Sequence, residues 1–204
     1  MIRDAYPLLI PLLVIAVLFF AFNYGLAGFV FLALACFIGF FFRDPYRKIT
    51  TDPLAIVSPA DGKIVRVNAE PDGTTRISIF LSVFNVHITR TPIEGVIERV
   101  TYRPGRFKAA FRKEASAENE QNILVIANSR CRMQFNQIAG VLARRVVCWK
   151  REGEPVAKGE RIGLIKFGSR VDVCLPEGVQ PTVTLGSRVE GGSSIIGRFI
   201  DASD

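Results

Sequence analysis

The stretch "KGERIGLIKFGSRVDVCLPEG", which runs from Lys158 to Gly178, is typical of strands in a buried sheet. Gly168 and Ser169 interrupt this apolar run at its centre. A glycine inside a strand usually marks a bulge, a bend or a close approach of backbone. The run therefore indicates a β-rich domain, and the Gly-Ser pair is a local exception to it. The residues of the run that favour strands are Ile162, Leu164, Phe167, Val171, Val173 and Leu175.

Short β-rich runs separated by turn signals fill the chain from Ala55 onward. An acidic residue followed by glycine supplies four of these turns: Asp61-Gly62, Asp72-Gly73, Glu94-Gly95 and Glu177-Gly178. This pattern predicts a mainly β domain over residues 49–204, folded as a compact antiparallel β-sandwich or flattened barrel. The polar, charged stretch from Arg103 to Gln121 is the exception, and it predicts a long loop with or without a short helix.

The N-terminal part is apolar, because no residue from Tyr6 to Phe42 carries a charge. Asn23-Tyr24-Gly25 is turn chemistry that divides this run into two halves of about 17 residues, at the short end of what crosses a bilayer. We expect a membrane-associated helical hairpin over residues 1–48, either spanning or dipping; one long apolar helix is the alternative. Basic residues follow in "RDPYRK" (Arg43–Lys48), with Arg3 at the other end, so the positive-inside rule predicts the cytoplasmic face of the cell membrane.

Composition narrows the classes of partner. The 204 residues carry a net charge of +7, which suits an anionic membrane surface or nucleic acid. Basic residues from Arg99 to Lys113 are interleaved with Tyr102, Phe107 and Phe111, a combination that suits anionic headgroups beside a membrane anchor and ranks nucleic acid lower. The basic residues concerned are Arg99, Arg103, Arg106, Lys108, Arg112 and Lys113.

Cysteine and histidine usage excludes several chemistries. The four cysteines show no CxxC spacing, so neither a disulfide framework nor a metal site is expected. His87 is the single histidine, which excludes mechanisms that need two. The chain also contains neither a GxxxxGK[ST] loop nor a GxSxG elbow, the motifs of nucleotide-binding proteins and many hydrolases.

Two further motifs carry candidate residues, each with a structural alternative. "SPADGKI" (Ser58–Ile64) is either a strand corner or a loop in which Asp61 orients a base. His87, in "IFLSVFNVHITRTPIEG", is either a packed residue or that base; strand alternation there would place it on one face with Leu81 and Asn85. A second Gly-Ser pair, Gly192-Ser193, reads as turn chemistry beyond the last clear strand.

Taken in series, "VSPADGKI", "IFLSVFNVHITRTPIEG", "YRPGRFKAAFRKEASAENEQN" and "KGERIGLIKFGSRVDVCLP" resemble the short, single-domain branch of the phosphatidylserine decarboxylases. The resemblance covers nearly the whole chain. In that family a proenzyme cuts itself before a serine, and the context "GxxxGxxxxGS" selects Gly168 and Ser169 here. The resemblance thus implies a β chain of residues 1–168 and an α chain of residues 169–204, which remain together as a heterodimer.

The resemblance also implies the chemistry. Ser169 would become a covalent pyruvoyl group, the only cofactor needed, whose carbonyl acts as an electron sink while phosphatidylserine loses CO2 to give phosphatidylethanolamine. Asp61 and His87 are the candidate catalytic partners of Ser169. One departure matters: counted from Pro92, His87 matches the first of two family histidines, whereas Arg90 stands at the place of the second.

The base that activates Ser169 is thus left open by the sequence, and Arg170 follows the serine where the long branch of the family has threonine. Two other functions compete with this one. The first is a membrane-anchored β-barrel binding or adaptor module without catalysis, in which Gly168-Ser169 is a bulge. The second is a pyruvoyl decarboxylase for a soluble amino acid, which would leave the apolar hairpin without a purpose.

Overall fold

The computed structural model describes residues 2–105, 118–140, 145–166 and 168–200. Its contacts divide the chain into two compact units, Met1–Tyr46 and Arg47–Asp204. The first is helical and the second is built of strands. The boundary drawn from the sequence after residue 48 stays a prediction.

The first unit is a pair of apolar helices. A short 3-10 turn, Arg3–Ala5, leads into α1 (Tyr6–Ala21), and α2 extends over Gly25–Phe41. Asn23 adopts a left-handed conformation, with φ of 63°, in the link between them. Asparagine tolerates this conformation better than most residues, so the turn signal in the sequence and the observed turn coincide. The expected N-terminal helix pair is confirmed.

Small residues allow the two helices to pack closely. Ala16 on α1 and Gly28 on α2 are buried, and a Cβ on Gly28 would lie only 2.7 Å from the Phe20 ring. Phe19 and Phe31 stack across the pair with ring centroids 5.3 Å apart. The outward-facing side chains of the pair are mostly large, apolar and exposed. Within the described part of the chain, Arg3–Ala21 is long and apolar enough to cross a membrane, and Gly25–Phe41 is a shorter apolar helix.

The second unit contains short strands that pair antiparallel. In chain order they are β1 (Ala55–Val57), β2 (Gly62–Ala69), β3 (Thr75–Leu81), β4 (Ile88–Arg90), β5 (Gly95–Arg103), β6 (Gln121–Ala127), β7 (Arg132–Ile138), β8 (Val146–Cys148), β9 (Pro155–Val156), β10 (Arg161–Ile165), β11 (Ser169–Leu175), β12 (Val179–Pro181), β13 (Arg188–Val189) and β14 (Ile195–Phe199).

These strands form one large sheet and two small ones. The large sheet has the order β13-β2-β3-β11-β7-β6-β5-β9, and the small sheets have the orders β1-β14-β12 and β4-β10-β8. The predicted mainly β fold with antiparallel sheets is confirmed. Alternate side chains of the large sheet build the core, among them Ile77, Ile79, Leu81, Val171, Val173, Phe135 and Leu124.

The structure corrects one prediction about local structure and describes only part of the residues of another. The strand that contains "IFLSVFNVH" ends at Leu81, and a turn follows, so the alternation expected to continue to His87 is wrong. The turn forms because Asn85 competes for backbone donors, as described below. Of the basic and aromatic stretch, Arg99, Tyr102 and Arg103 lie on β5, where Tyr102 is exposed; residues 106–117 lie outside the described part.

Candidate functional site

Ser169 is the first residue of β11, at one end of the large sheet. Gly168 precedes it with φ of +65°, in the left-handed region that glycine adopts without steric cost. The Ser169 side chain is completely buried, and its Oγ finds no hydrogen-bond partner among the described residues. A buried hydroxyl without a partner costs free energy, so an orphan of this kind points to chemistry rather than to stability.

The segment from Leu81 to His87 lies against the Gly168-Ser169 step. Ser169 is the cross-strand neighbour of Leu81, and the Ile165 amide donates to the His87 carbonyl at 3.2 Å. These two pairings hold both sides of the 166–168 link to the same segment. The fold therefore brings His87 and Ser169, 82 positions apart in sequence, into one neighbourhood.

His87 has a defined tautomer in this position. Its ring is buried, and Nδ1 lies 2.9 Å from the Asn85 carbonyl oxygen. Because a carbonyl can only accept, Nδ1 carries the proton and Nε2 of the neutral ring is the basic nitrogen. Asn85 itself is fixed by a turn: its Oδ1 accepts from the Ser82 amide at 2.9 Å and from the Ser82 hydroxyl at 2.8 Å.

Asp61 lies at the start of β2, in the loop that the sequence motif predicts. Its carboxylate accepts from the Arg47 guanidinium at 2.7 Å and from the Gly191 amide at 2.8 Å. Burial raises the pKa of Asp61 above its ordinary value, and the Gly191 hydrogen bond and the Arg47 charge oppose that effect. The structure thus pairs Asp61 with Arg47 and Gly191, not with His87, among the described residues. Its assignment as a catalytic residue stays a prediction.

The "EGGSS" turn, which the sequence pattern indicates only as a turn beyond the last strand, contacts the loop of Asp61. Besides the Gly191 contact with Asp61, Gly192 donates to the Ser58 carbonyl at 2.7 Å, and Ser58 donates to the Ser194 carbonyl at 2.8 Å. Strand β14 follows this turn, so its expected place beyond the last strand is wrong. The signal that could have revealed it is the tight pair of glycines, which allows one loop to approach another closely.

Arg90 supports the same loops. Its side chain is buried, with Nη1 donating to the Gly159 carbonyl at 3.0 Å, and its amide donates to the Pro59 carbonyl at 2.8 Å. Arg90 stands at the position of the second family histidine, and its guanidinium binds the backbone of the Gly159 loop. Since an arginine stays protonated, it cannot replace a histidine as a base.

Arg170, the residue after the serine, forms a buried ion pair with Asp172. The Arg170 Nε lies 2.8 Å from one carboxylate oxygen and its Nη2 lies 3.1 Å from the other. Both side chains point to the face of β11 opposite that of Ser169. Desolvation lowers the pKa of Arg170, but the group stays cationic beside Asp172. The pair fixes the strand immediately after the Gly-Ser step.

A pocket of about 510 Å³ opens at the same end of the sheet. Asp61, Ser82 and Asn85 contribute to its wall, so it adjoins both the loop of Asp61 and the turn that leads to His87. Among the described residues, no group of three or more His, Cys, Asp or Glu side chains is placed to hold a metal ion. All four cysteines are free thiols.

A buried serine hydroxyl without a partner, with a histidine on the neighbouring segment and a pocket at the same end of the sheet, is an arrangement typical of an enzyme. Comparison with known proteins defines the class as a decarboxylase: the family model described as phosphatidylserine decarboxylase matches residues 34–197. The chain belongs to the phosphatidylserine decarboxylase family.

Curated relatives carry the same description. The chain is 54% identical over 168 residues to a phosphatidylserine decarboxylase proenzyme of Solibacter usitatus, which covers 82% of this chain and 81% of the relative. It is 43% identical over 201 residues to the proenzyme of Paraburkholderia phymatum, covering 95% and 94%. With the proenzyme of Chlorobium phaeobacteroides the identity is 43% over 169 residues, covering 80% and 79%.

Proposed function

We propose that this chain is a proenzyme that cleaves itself between Gly168 and Ser169 and then converts phosphatidylserine to phosphatidylethanolamine and CO2. The observation that carries the proposal is the fully buried Ser169 hydroxyl without a partner, directly after a left-handed glycine. Family membership supports the substrate. A non-catalytic adaptor module is disfavoured, since it would give this orphaned hydroxyl no role.

The cleavage step follows from the residue types. Ser169 Oγ attacks the Gly168 carbonyl carbon, the amide C–N bond breaks, and the acyl group passes to oxygen as an ester. Loss of the proton on the Ser169 Cα then breaks the Cβ–Oγ bond, which releases the Gly168 carboxylate and leaves a dehydroalanine. Addition of water and loss of ammonia convert that residue to a pyruvoyl group. No external oxidant or reductant is required.

Gly168 assists this step through its shape. A Cβ at Gly168 would meet no atom within 4 Å, so the side-chain position of this residue lies in open space. The left-handed backbone is natural only for glycine, and such positions are common where a chain must bend sharply at a functional site. An open, bent acyl position next to a buried hydroxyl suits an intramolecular attack.

His87 is the proposed base. With Nδ1 held by the Asn85 carbonyl, Nε2 is oriented to take a proton when the ring is neutral. Asp61 lies in the pocket wall at the same end of the sheet, and its carboxylate is paired with Arg47. We assign proton transfer to His87 and an electrostatic role at the pocket wall to Asp61.

The residues at this site fit a pyruvoyl group made from Ser169, because that group would stand at a buried strand end beside the pocket. Its carbonyl supplies the electron sink for the carbanion that forms when CO2 departs. The chain's own residues bind the headgroup, exclude water and return a proton to carbon. The heterodimer of β and α chains stays together because β11, at the start of the α chain, pairs with β3 and β7 of the β chain.

We also propose that the protein works at the cytoplasmic face of the cell membrane. The apolar helix pair and the basic residues that follow it support this placement. A phospholipid substrate also favours a location at a bilayer surface, from which the headgroup can reach the pocket.

Cleavage is tested by a denaturing gel of the purified protein. Wild type should show two chains, and Ser169→Ala should show only the full-length precursor, without decarboxylase activity. A wild-type protein that remains a single intact chain over days would contradict the proposal.

A further inference from the structure

The pocket wall carries two cations that the proposed chemistry does not use. Lys63 on β2 and Arg188 on β13 both line it, and they are direct cross-strand neighbours. Opposite residues of an antiparallel pair point to the same face, so the two cationic side chains lie side by side. Both are exposed, and neither has an ion-pair partner among the described residues.

The carboxylates of the pocket do not neutralise these cations. Asp61 and Glu190 also line it, but both bind Arg47, with distances of 2.7 and 2.6 Å. One arginine thus engages two carboxylates. With Lys63 and Arg188 added, the local group of three cations and two carboxylates carries net positive charge, which favours an anion in the pocket.

The register places these cations two strands away from β11, on the face of the large sheet that Arg170 shares and that lies opposite the Ser169 side chain. Lys63 is paired with Phe80, and Phe80 is paired with Arg170, the residue after Ser169. Two strand spacings amount to about 10 Å. Because Ser169 is the first residue of β11, a phosphoserine headgroup held by a long cationic side chain can extend across that distance and around the strand end, with the amine at the serine and the phosphate at the cations.

Exposed apolar side chains, one in the pocket wall and one on the segment before Arg188, favour an anion that belongs to a lipid. Phe84 lines the pocket and is 68% exposed, and Leu185, three residues before Arg188, is 70% exposed. The Leu185 segment stays beside β2 because Gly186 donates to the Ile64 carbonyl at 2.8 Å. Exposed apolar groups flanking two cations suit the border between a phosphate layer and acyl chains.

We infer that Lys63 and Arg188 form the subsite that binds the substrate's phosphodiester, which makes them specificity-determining residues of this pocket. The inference rests on the proposed function and adds the chemical group that the pocket recognises. Because the phosphate does not change during decarboxylation, the two cations should contribute to substrate binding and little to the chemical step.

The test uses dihexanoyl phosphatidylserine below its micellar concentration, so that substrate binding is measured without a membrane. Lys63→Gln and Arg188→Gln should each raise KM roughly tenfold, as expected for loss of a charged hydrogen bond, and leave kcat within about twofold. Lys63→Arg should restore most of the affinity. Inorganic phosphate should inhibit the wild type and lose its effect in the double variant.

Arg130→Gln is the matched control, since Arg130 is exposed in the turn between β6 and β7 and its substitution removes the same charge. Its KM should equal that of the wild type. If the double variant binds the monomeric lipid normally and is impaired only on phosphatidylserine vesicles, the cations serve general membrane attachment and the inference fails. Chain cleavage on a gel is scored separately: cleaved variants with unchanged KM overturn the subsite alone, whereas an uncleaved wild type overturns the proposed function.

Discussion

Two Gly-Ser pairs in this chain share a backbone conformation but differ in what surrounds the serine. Gly168 and Gly192 are both left-handed, with φ of +65° and +82°. Ser169 is completely buried with an unpartnered Oγ, whereas Ser193 is partly exposed and lies in a hydrogen-bonded turn, its amide donating to the Glu190 carbonyl at 3.2 Å.

The two glycines are also required for different reasons. A Cβ on Gly168 would meet open space, but one on Gly192 would lie 2.9 Å from the Arg90 Cδ. Gly192 therefore permits close packing of loops, and Gly168 permits an accessible, bent acyl group. The comparison teaches that a left-handed glycine before serine is insufficient to define a scissile bond. On the proposed mechanism, the serine must also be buried, without a hydrogen-bond partner and within reach of a base.

The largest expected effect separates the two serines directly. Ser169→Ala removes the attacking oxygen, so chain cleavage and decarboxylation should both be abolished. Ser193→Ala is the matched control and should cleave to completion. Denaturing gels and CO2 release measure the two outcomes, and a precursor that accumulates in Ser193→Ala would reverse the assignment of the two turns.

His87→Ala should cost at least about 100-fold in the step that it serves, as for loss of a general base. Normal cleavage with lost CO2 release would assign His87 to decarboxylation, and failure to cleave would make it the processing base. Added imidazole should restore part of the lost rate, which a purely structural role would not allow. Full cleavage together with full turnover would contradict a catalytic His87.

Alanine at the two glycines should act on different properties. Gly168→Ala places a Cβ in a left-handed conformation, a cost of about 1–2 kcal/mol, so the backbone should relax and cleavage should slow roughly tenfold. Gly192→Ala should lower thermal stability through its contact with Arg90 and leave the cleavage rate nearly unchanged. A time course of cleavage and a thermal melt of the same samples separate the two effects.

Arg47→Gln should produce a smaller change, in pH dependence. Burial raises the pKa of Asp61 and Arg47 opposes this, so loss of Arg47 should raise that pKa further. The acid limb of the pH–rate profile should then move to higher pH. Arg132→Gln, which breaks the exposed pair with Glu98, should leave the profile in place. An unmoved acid limb in Arg47→Gln would show that the charge of Asp61 has no part in catalysis.

The same raised pKa has a consequence for stability. Because the folded carboxyl holds its proton more tightly than the unfolded one, ionisation of Asp61 costs the folded state free energy. The stability contributed by its protonated form is present at low pH and is lost as pH rises through the raised pKa. The effect should be absent from Asp61→Asn when unfolding is measured across that range.

Much of the fold could be predicted because its signals are local. The uncharged run with an Asn-Tyr-Gly turn indicates two helices, and β-branched runs separated by Asp-Gly turns indicate antiparallel strands. Local signals were less informative at Leu81, where the apolar pattern continues but the strand ends. There the Ser82 amide and hydroxyl donate to the Asn85 side chain instead of continuing the strand pairing. The apolar periodicity of the sequence does not indicate this change.

The site was predictable only in part. Gly168-Ser169 interrupts a strand pattern and follows motifs in series, so the sequence can select it. The Arg47–Asp61 pair, the Gly191 contact and the Lys63–Arg188 neighbourhood are long-range contacts, which depend on strand register and loop packing. A turn such as Gly192-Ser193 has ordinary turn chemistry, and its role follows only from which loop it contacts.

The most direct measurement of the central claim is the intact mass of the small chain from purified wild-type protein. Cleavage before Ser169 with conversion to a pyruvoyl group predicts a chain of residues 169–204 that is lighter than the serine-started peptide by one ammonia. Its N-terminus should also resist sequential degradation. A small chain that carries the mass of an unmodified N-terminal serine, or one that begins at Ser193, would contradict the account.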